Sequence, residues 1–279
     1  MRWDKDYRSP NVDDRRASGG GMRGIGAGLP LGSLLAVGSR FGWKGILIAL
    51  VLVGAMTYGG MCSGDSLSCL GGGAPGGTTA QKGAPENAGN DEVAKFIGFV
   101  FDDVQKTFDG QLRGYQTTRL VLFRGQVDSA CGTATSAVGP FYCPLDKQVY
   151  IDLTFYDQLR KRFGAPGDFA QAYVIAHEVG HHVQNLSGKL GRGEVHQIEV
   201  ELQADCLAGA WAQGAEKRQL VEVGDIDEAL NAASAIGDDT IQRKTQGRVQ
   251  PETWTHGSAA QRSAAFKKGY QSGVGACGL

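Results

Sequence analysis

The second half of the chain contains the run His177-Glu178-Val179-Gly180-His181, in which two histidines stand four positions apart and a glutamate follows the first. On an α-helix, residues four positions apart lie about 40° from each other around the axis, so both imidazoles can face one point. Two imidazoles on one helical turn supply half of a tetrahedral zinc site, and Glu178 is placed to act as the general base for a water molecule. The run therefore predicts zinc hydrolase chemistry.

A pair of histidines on a solvated helix face is the alternative interpretation of this run. The preceding residues at 169–176, FAQAYVIA, are mostly apolar and predict a buried helix. Because buried imidazoles and carboxylates need polar partners, a bound metal explains the pattern better than a solvated face does.

A second helix, predicted at 194–217, offers the third ligand. Glu201 and Asp205 share one face of this helix and have apolar neighbours, which indicates a buried turn. We assign Glu201 as the third zinc ligand and Asp205 as the carboxylate that orients a ligand histidine through its free N–H. Glu199 and His196 face other sides of the helix and are not expected at the metal.

Further blocks of sequence extend the metal motif. They lie around Cys131 and at 137–144, 149–153, 201–206 and 255–258. Together with the H-E-x-x-H helix, they resemble the neutral zinc metallopeptidases of bacteria, a family of small membrane-anchored proteins, over about residues 113–275. The resemblance implies an α+β, zincin-like (Glu-zincin) domain with a small sheet packed on the active-site helix. It also implies a Zn²⁺ cofactor and a peptide or protein substrate.

A strand predicted at 148–153 is expected beside the active-site helix. In H-E-x-x-H peptidases, such a strand presents its edge to an extended substrate, and backbone pairing provides affinity with little side-chain selectivity. We assign Val149, Tyr150 and Ile151 to substrate binding. A plain core strand is the alternative.

His256 stands just before a predicted helix and is the only histidine outside the two metal helices. A hydrogen-bond donor is needed to stabilise the oxyanion of a tetrahedral intermediate, and we assign His256 to this catalytic role. A helix-capping or packing histidine is the alternative, with Arg262 or Tyr150 as other donors.

Composition divides the chain into unequal parts. Its 279 residues carry a formal net charge of −1, so we expect no nucleic acid partner, and its 43 glycines are concentrated before residue 90. We predict a disordered cytoplasmic arm at 1–40, a transmembrane anchor at 41–60, a Gly/Pro-rich linker at 61–90 and a metallopeptidase domain at 91–279.

The predicted anchor is an apolar stretch bracketed by Trp43 and Tyr58, and as a helix it would be about 27 Å long. Basic residues cluster before it, whereas only Lys82 follows before residue 90. The positive-inside rule then predicts a single-pass protein of the bacterial inner membrane, with a cytoplasmic N-terminus and an extracytoplasmic (periplasmic) catalytic domain. A buried core helix or a signal segment is the alternative.

All six cysteines fall at or after the predicted anchor, which agrees with an exported domain. We expect three disulfide pairs: Cys131 with Cys143, Cys206 with Cys277, and Cys62 with Cys69. Reduced thiols are the alternative. Sequence alone also does not determine which cysteines pair with each other.

Taken together, these patterns predict a membrane-anchored zinc endopeptidase that attacks peptide bonds with metal-activated water and uses Glu178 as the base. Two other interpretations stay open: a zinc-stabilised module that binds peptides or proteins without cleaving them, and a zinc hydrolase of cell-wall peptides.

Overall fold

The computed structural model describes residues 1–17, 88–190 and 197–279, and they form an α+β structure. The helices are α1 (Ala88–Asp109), α2 (Thr154–Gln158), α3 (Asp168–Leu186), α4 (Gln197–Lys217), α5 (Asp225–Ala235), α6 (Asp238–Gln246) and α7 (Ala259–Ser272). The strands are β1 (Val12–Asp14), β2 (Arg119–Phe123), β3 (Gln126–Ser129), β4 (Gly132–Thr135), β5 (Phe141–Cys143) and β6 (Gln148–Asp152). A short π-helical stretch, Leu159–Phe163, continues α2.

The main sheet has four strands in the order β1-β2-β6-β5. Strands β1, β2 and β6 run parallel, and β5 pairs with β6 in the antiparallel direction. Strands β3 and β4 form a separate hairpin. The strand predicted at 148–153 is therefore confirmed within one residue.

The predicted substrate strand has no free edge. Tyr150 on β6 pairs with Val121 of β2 on one side and with Phe141 of β5 on the other. Val149 and Tyr150 therefore already have sheet partners on both sides, and the assignment of Val149, Tyr150 and Ile151 to substrate binding stays a prediction. The buried position of β6 between β2 and β5 agrees with the alternative of a core strand, because most of its backbone groups already pair within the sheet.

Helix α3 forms the centre of the main core. Most of its residues are buried, including the whole stretch from Ala172 to Gly180. It packs against α1, α4 and α5. Phe169 of α3 stacks on the fully buried Trp211 of α4, with ring centroids 5.4 Å apart. A helix this apolar on all sides is stable only when other elements surround it, and these helices do so.

The first 17 residues are an ordered part of this fold. They supply strand β1, and Trp3 packs edge-on against Phe96 of α1 with ring centroids 5.4 Å apart. The expected disorder over 1–40 therefore does not hold for residues 1–17. That segment finds its apolar and backbone partners in α1 and β2, far away in the sequence.

The predicted anchor at 41–60 lies outside the described residues. So does the linker at 61–90, except for its last three positions, which begin α1. Over the ranges that the structure covers, we find no helix with both the length and the apolar character needed to cross a bilayer.

Two of the expected disulfides are present. Cys131 is bonded to Cys143, and Cys206 is bonded to Cys277, which confirms both pairings. The second bond ties α4 to the turn that follows α7. Cys62 and Cys69 lie outside the described residues.

Candidate metal centre

Helix α3 presents His177 and His181 from one turn toward one point. Their ring centroids are 4.7 Å apart and the ring planes are nearly perpendicular, at 86°. Both side chains are largely buried, with exposed fractions of 8% and 14%. The helical spacing in the sequence therefore placed these two residues correctly.

Helix α4 reaches the same point because α3 has a glycine where the two helices meet. A Cβ atom on Gly180 would lie only 3.1 Å from the Cα of Ala204. The small residues on both helices let the backbones approach closely, and this approach brings Glu201 to the two histidines.

The three side chains form a group of potential metal ligands, with donor atoms all within 4.8 Å of one another. Glu201 Oε2 lies 3.2 Å from His177 Nε2, and Glu201 Oε1 lies 3.5 Å from His181 Nε2. Donor atoms at zinc distances of 2.0–2.1 Å in a tetrahedron stand about 3.3 Å from one another. Two imidazole nitrogens and a carboxylate at this spacing fit Zn²⁺.

The other nitrogen of each ring is already held by a protein group. His177 Nδ1 lies 2.8 Å from Asp205 Oδ1, and His181 Nδ1 lies 2.8 Å from Gln184 Oε1. Both partners are acceptors, so Nδ1 carries the proton and Nε2 keeps its lone pair for a metal. Asp205 thus lies where the sequence placed it, whereas Gln184 is an additional partner.

A buried network surrounds Asp205. Arg262 Nε donates to Asp205 Oδ2 at 2.8 Å, and Arg262 Nη2 donates to Asp205 Oδ1 at 3.0 Å. The hydroxyl of Tyr173 also donates to Asp205. Burial alone would raise the pKa of Asp205, but Arg262 and His177 outweigh it and hold the pKa well below its usual range. Asp205 is therefore a permanent anion behind His177.

Charge at the ligand positions favours a cation. Burial would lower the pKa of His177, but Asp205 and Glu201 together outweigh this effect and raise it to about 10. Burial would raise the pKa of Glu201, yet the two histidines lower it to about 2. The carboxylates that face the two ring nitrogens of His177 therefore make this point electrostatically suited to a bound cation.

Glu178 lines a cavity of about 390 Å³ together with the three potential ligands. The side chain is buried, and burial is the main cause that raises its pKa above the ordinary value. A carboxylate with a raised pKa next to potential metal ligands has the properties of a general base.

The walls of this cavity are largely apolar. Phe155, Phe163, Val174, Ile236 and Ile241 contribute to them. None of these five was a predicted site residue, because scattered apolar residues carry no local sequence signal for a cavity. They give the site a surface suited to an apolar side chain.

Strand β5 and the residues before it form one rim of the cavity, from Val138 to Tyr142. In the part of the sheet that the structure describes, β5 is an outer strand. His182 holds it against α3: His182 Nδ1 lies 3.0 Å from the Tyr142 hydroxyl and His182 Nε2 lies 2.6 Å from the carbonyl of Gln116. His182 is therefore a buried structural histidine, as its position off the metal face suggests.

His256 lines the same cavity, with a half-exposed side chain. Its Nδ1 lies 2.9 Å from Thr255 Oγ1 and 3.3 Å from Asp238 Oδ1. Of the two other predicted donors, Arg262 is committed to Asp205, and Tyr150 donates to Asp146 at 2.8 Å. His256 is therefore the best placed of the three candidates.

Tyr156 is a residue that sequence reasoning missed. Its hydroxyl is buried and has no hydrogen-bond partner among the described residues. Burial, and after it the charge of Glu178, raises the pKa of this tyrosine, so the phenol stays neutral. It is a neutral hydroxyl near the candidate base.

Comparison with known proteins agrees with this geometry. The model of a family described as "putative neutral zinc metallopeptidase" matches residues 1–278. The uncharacterized protein YpfJ of Escherichia coli strain K12 is 43% identical over 295 residues, covering 98% of this chain and 96% of the relative. The uncharacterized protein Rv2575 of Mycobacterium tuberculosis strain H37Rv is 50% identical over 180 residues, covering 58% of this chain and 61% of the relative. No solved structure matches significantly.

The family match spans nearly the whole chain and includes the helices that carry the ligand group. It therefore agrees with the resemblance found in the motifs. This chain belongs to the neutral zinc metallopeptidase family.

Proposed function

We propose that this protein is a zinc-dependent endopeptidase. The observation that carries the proposal is the arrangement of His177, His181 and Glu201 around one point, with the buried Glu178 in the same open cavity. A closed structural zinc site has no need of a base beside it or of a cavity in front of it. This arrangement therefore favours hydrolysis over a zinc-stabilised binding module.

In this proposal, His177, His181 and Glu201 hold the metal, and Asp205 fixes the orientation of His177. Bound zinc supplies Lewis-acid chemistry, because it polarises a carbonyl and makes water more acidic. Glu178 accepts the proton of the attacking water and returns it to the leaving amine. General acid–base help of this kind contributes about 10²–10⁴-fold to the rate.

His256 is proposed to stabilise the oxyanion. Thr255 and Asp238 lie within hydrogen-bond distance of His256 Nδ1, whereas His256 Nε2 has no hydrogen-bond partner among the described residues. A donor at that nitrogen, on the cavity rim, can reach a carbonyl oxygen that develops charge.

Strand β5 is proposed to pair with an extended peptide substrate. It is the strand beside the cavity, and its neighbour β6 is already paired on both sides. Added backbone hydrogen bonds would give affinity with little sequence selectivity. The nearby sheet, and a carboxylate ligand from a second helix, also support a zincin-like architecture of the Glu-zincin type.

Two disulfides support an oxidising compartment for the domain, because such bonds persist outside the cytoplasm. We therefore propose an extracytoplasmic location. The transmembrane anchor at 41–60 stays a prediction.

The substitution Glu178→Gln tests whether zinc binding and peptide cleavage depend on different residues. The full chain is loaded with zinc and incubated with a mixed peptide library, with and without a chelator. We expect cleavage by the unmodified chain to stop with the chelator, and the Glu178→Gln variant to retain zinc by elemental analysis while losing at least about 10²-fold in cleavage rate. His177→Ala should lose the metal.

Retained cleavage by Glu178→Gln would contradict the role of the base. Cell-wall peptide fragments form a second substrate arm of the same experiment. Cleavage of those fragments alone would replace a general endopeptidase with a cell-wall hydrolase.

A further inference from the structure

The N-terminal segment is joined to the metallopeptidase domain by backbone hydrogen bonds. The amide of Leu120 donates to the carbonyl of Asn11 at 2.9 Å, and the amide of Arg15 donates to the carbonyl of Leu122 at 2.8 Å. Strand β1 pairs in register with β2 through three consecutive residue pairs. At the other end of the segment, the amide of Arg2 donates to the carbonyl of Leu220 at 2.8 Å.

Side chains complete this docking on helix α1. The Tyr7 hydroxyl and the Asn11 amide both donate to Asp102, at 2.8 and 2.7 Å. A Cβ atom on Gly98 would lie 2.9 Å from the Cβ of Ser9, so this glycine makes room for the segment. These hydrogen bonds and packing contacts form only when the segment 1–17 lies directly against the domain.

We infer that residues 1–17 and the domain at 88–279 lie on the same side of any membrane that the protein meets. The hydrocarbon core of a bilayer is about 30 Å thick, so backbone groups cannot pair across it. A single crossing, with the N-terminus and the domain on opposite sides, is incompatible with this packing.

This inference changes the predicted topology. The basic residues before the apolar stretch placed the N-terminus in the cytoplasm, whereas the two disulfides favour an oxidising compartment for the domain. Since β1 is part of the domain sheet, the N-terminal segment shares the compartment of the disulfides.

Cysteine labelling of the full chain tests the inference. Cys62 and Cys69 are replaced by serine, and one new cysteine is introduced as either Lys5→Cys or Glu92→Cys. Both positions are exposed, and they form an ion pair on the same surface. Spheroplasts of a bacterial host that makes the protein are treated with a maleimide that does not cross membranes, before or after lysis.

We expect both cysteines to react before lysis, with yields within about twofold of each other, because similarly exposed thiols in one compartment meet the same reagent. Reaction of both only after lysis would also support a shared side, and it would overturn the extracytoplasmic location instead. Reaction of one before lysis and of the other only after lysis would overturn the inference.

A stability measurement tests the docking independently. Val12→Asp places a charge in strand β1 against β2, while Asp6→Asn changes an exposed position of the same segment. In the detergent-solubilised full chain, we expect Val12→Asp to lower the melting temperature by about 5 °C or more, and the control to leave it unchanged. Equal melting temperatures would show that the segment is not docked.

Discussion

At the scale of single residues, the proposed metal site depends on Asp205 as much as on the candidate ligands. This carboxylate accepts hydrogen bonds from His177, Tyr173 and Arg262 in a fully buried environment. Arg262 supplies the only guanidinium of this network among the described residues. A buried anion without a cation beside it is costly, so Arg262 determines whether Asp205 can orient His177. Arg262 is thus a positioning residue.

Arg262→Met should weaken zinc binding by about 10- to 100-fold, because the partner that orients a metal ligand is lost. A chelator competition titration measures the zinc dissociation constant directly. Arg262→Lys restores the charge but not the two-nitrogen contact, so we expect it to recover part of the affinity. Lys268→Met, an exposed change on the same helix, is the matched control, and equal affinity in all variants would contradict this role.

At the scale of secondary-structure elements, the distance between α3 and α4 decides whether Glu201 reaches the point where His177 and His181 meet. Gly180 lies inside the H-E-x-x-H run and meets Ala204 of α4 at close range. The motif thus contains both the ligands and the small residue that admits the second helix.

Gly180→Ala should weaken zinc binding, and Gly180→Val should weaken it further, because each added atom pushes α4 away from α3. Calorimetric zinc titration together with thermal melting checks the expected order. Gly275→Ala is the matched control, since a Cβ atom there meets nothing within 4 Å. Tighter zinc binding by the valine variant would show that helix spacing does not limit the site.

Asp152 joins three elements at the end of β6. It accepts hydrogen bonds from the amides of Gly125 and Thr154, both at 2.8 Å, and from the Ser136 hydroxyl. Burial would raise the pKa of Asp152, but the hydrogen bonds from Ser136, Thr154 and Gly125 outweigh it and hold the pKa below its ordinary value.

A depressed carboxyl pKa stabilises the fold above the unfolded-state value of about 3.9, and this stability is lost as the pH falls through the folded-state value. We therefore expect the melting temperature to fall in this acidic range. Asp152→Asn should be less stable at neutral pH and should show a flatter acid dependence. Parallel melting curves of the two proteins below pH 4 would contradict the role of this carboxylate.

At the scale of the whole molecule, the two disulfides stabilise different parts. Cys131–Cys143, with a sequence separation of 12, joins the turn of the β3–β4 hairpin to β5, whereas Cys206–Cys277, with a sequence separation of 71, joins α4 to the turn that follows α7. The second bond links the helix of Glu201 to the turn that follows the helix of Arg262, so it helps to hold these two helices together beside the candidate metal site.

The double change Cys206→Ser/Cys277→Ser should destabilise the protein by about 4 kcal/mol, against about 3 kcal/mol for Cys131→Ser/Cys143→Ser, because the longer loop loses more entropy when closed. Chemical denaturation measures both values. Zinc affinity should fall only in the first variant. A larger loss of zinc affinity in Cys131→Ser/Cys143→Ser would contradict the role of Cys206–Cys277 in supporting the candidate metal site.

Much of the site could be predicted from the sequence because helical periodicity is local. The ligand positions on α3 and α4 need only the spacing of residues within each helix. The partner of Asp205 could not be predicted in this way, since Arg262 is 57 positions away and only the packing of α7 on α4 brings it there. The cavity walls at Phe155, Phe163 and Ile236 come from α2, from the π-helical stretch that continues it, and from the residue that follows α5.

The sequence by itself predicted the candidate ligand set, the candidate base, two disulfide pairs that the structure contains, and the helices that carry the candidate ligands. Only the tertiary structure decided that β5, rather than β6, is the outer strand beside the cavity, and that the first 17 residues belong to the domain sheet. The physical reason is the range of the interactions. A helix forms from residues a turn apart, whereas strand order and the docking of a distant segment depend on which surfaces remain unpaired after the rest of the chain has folded.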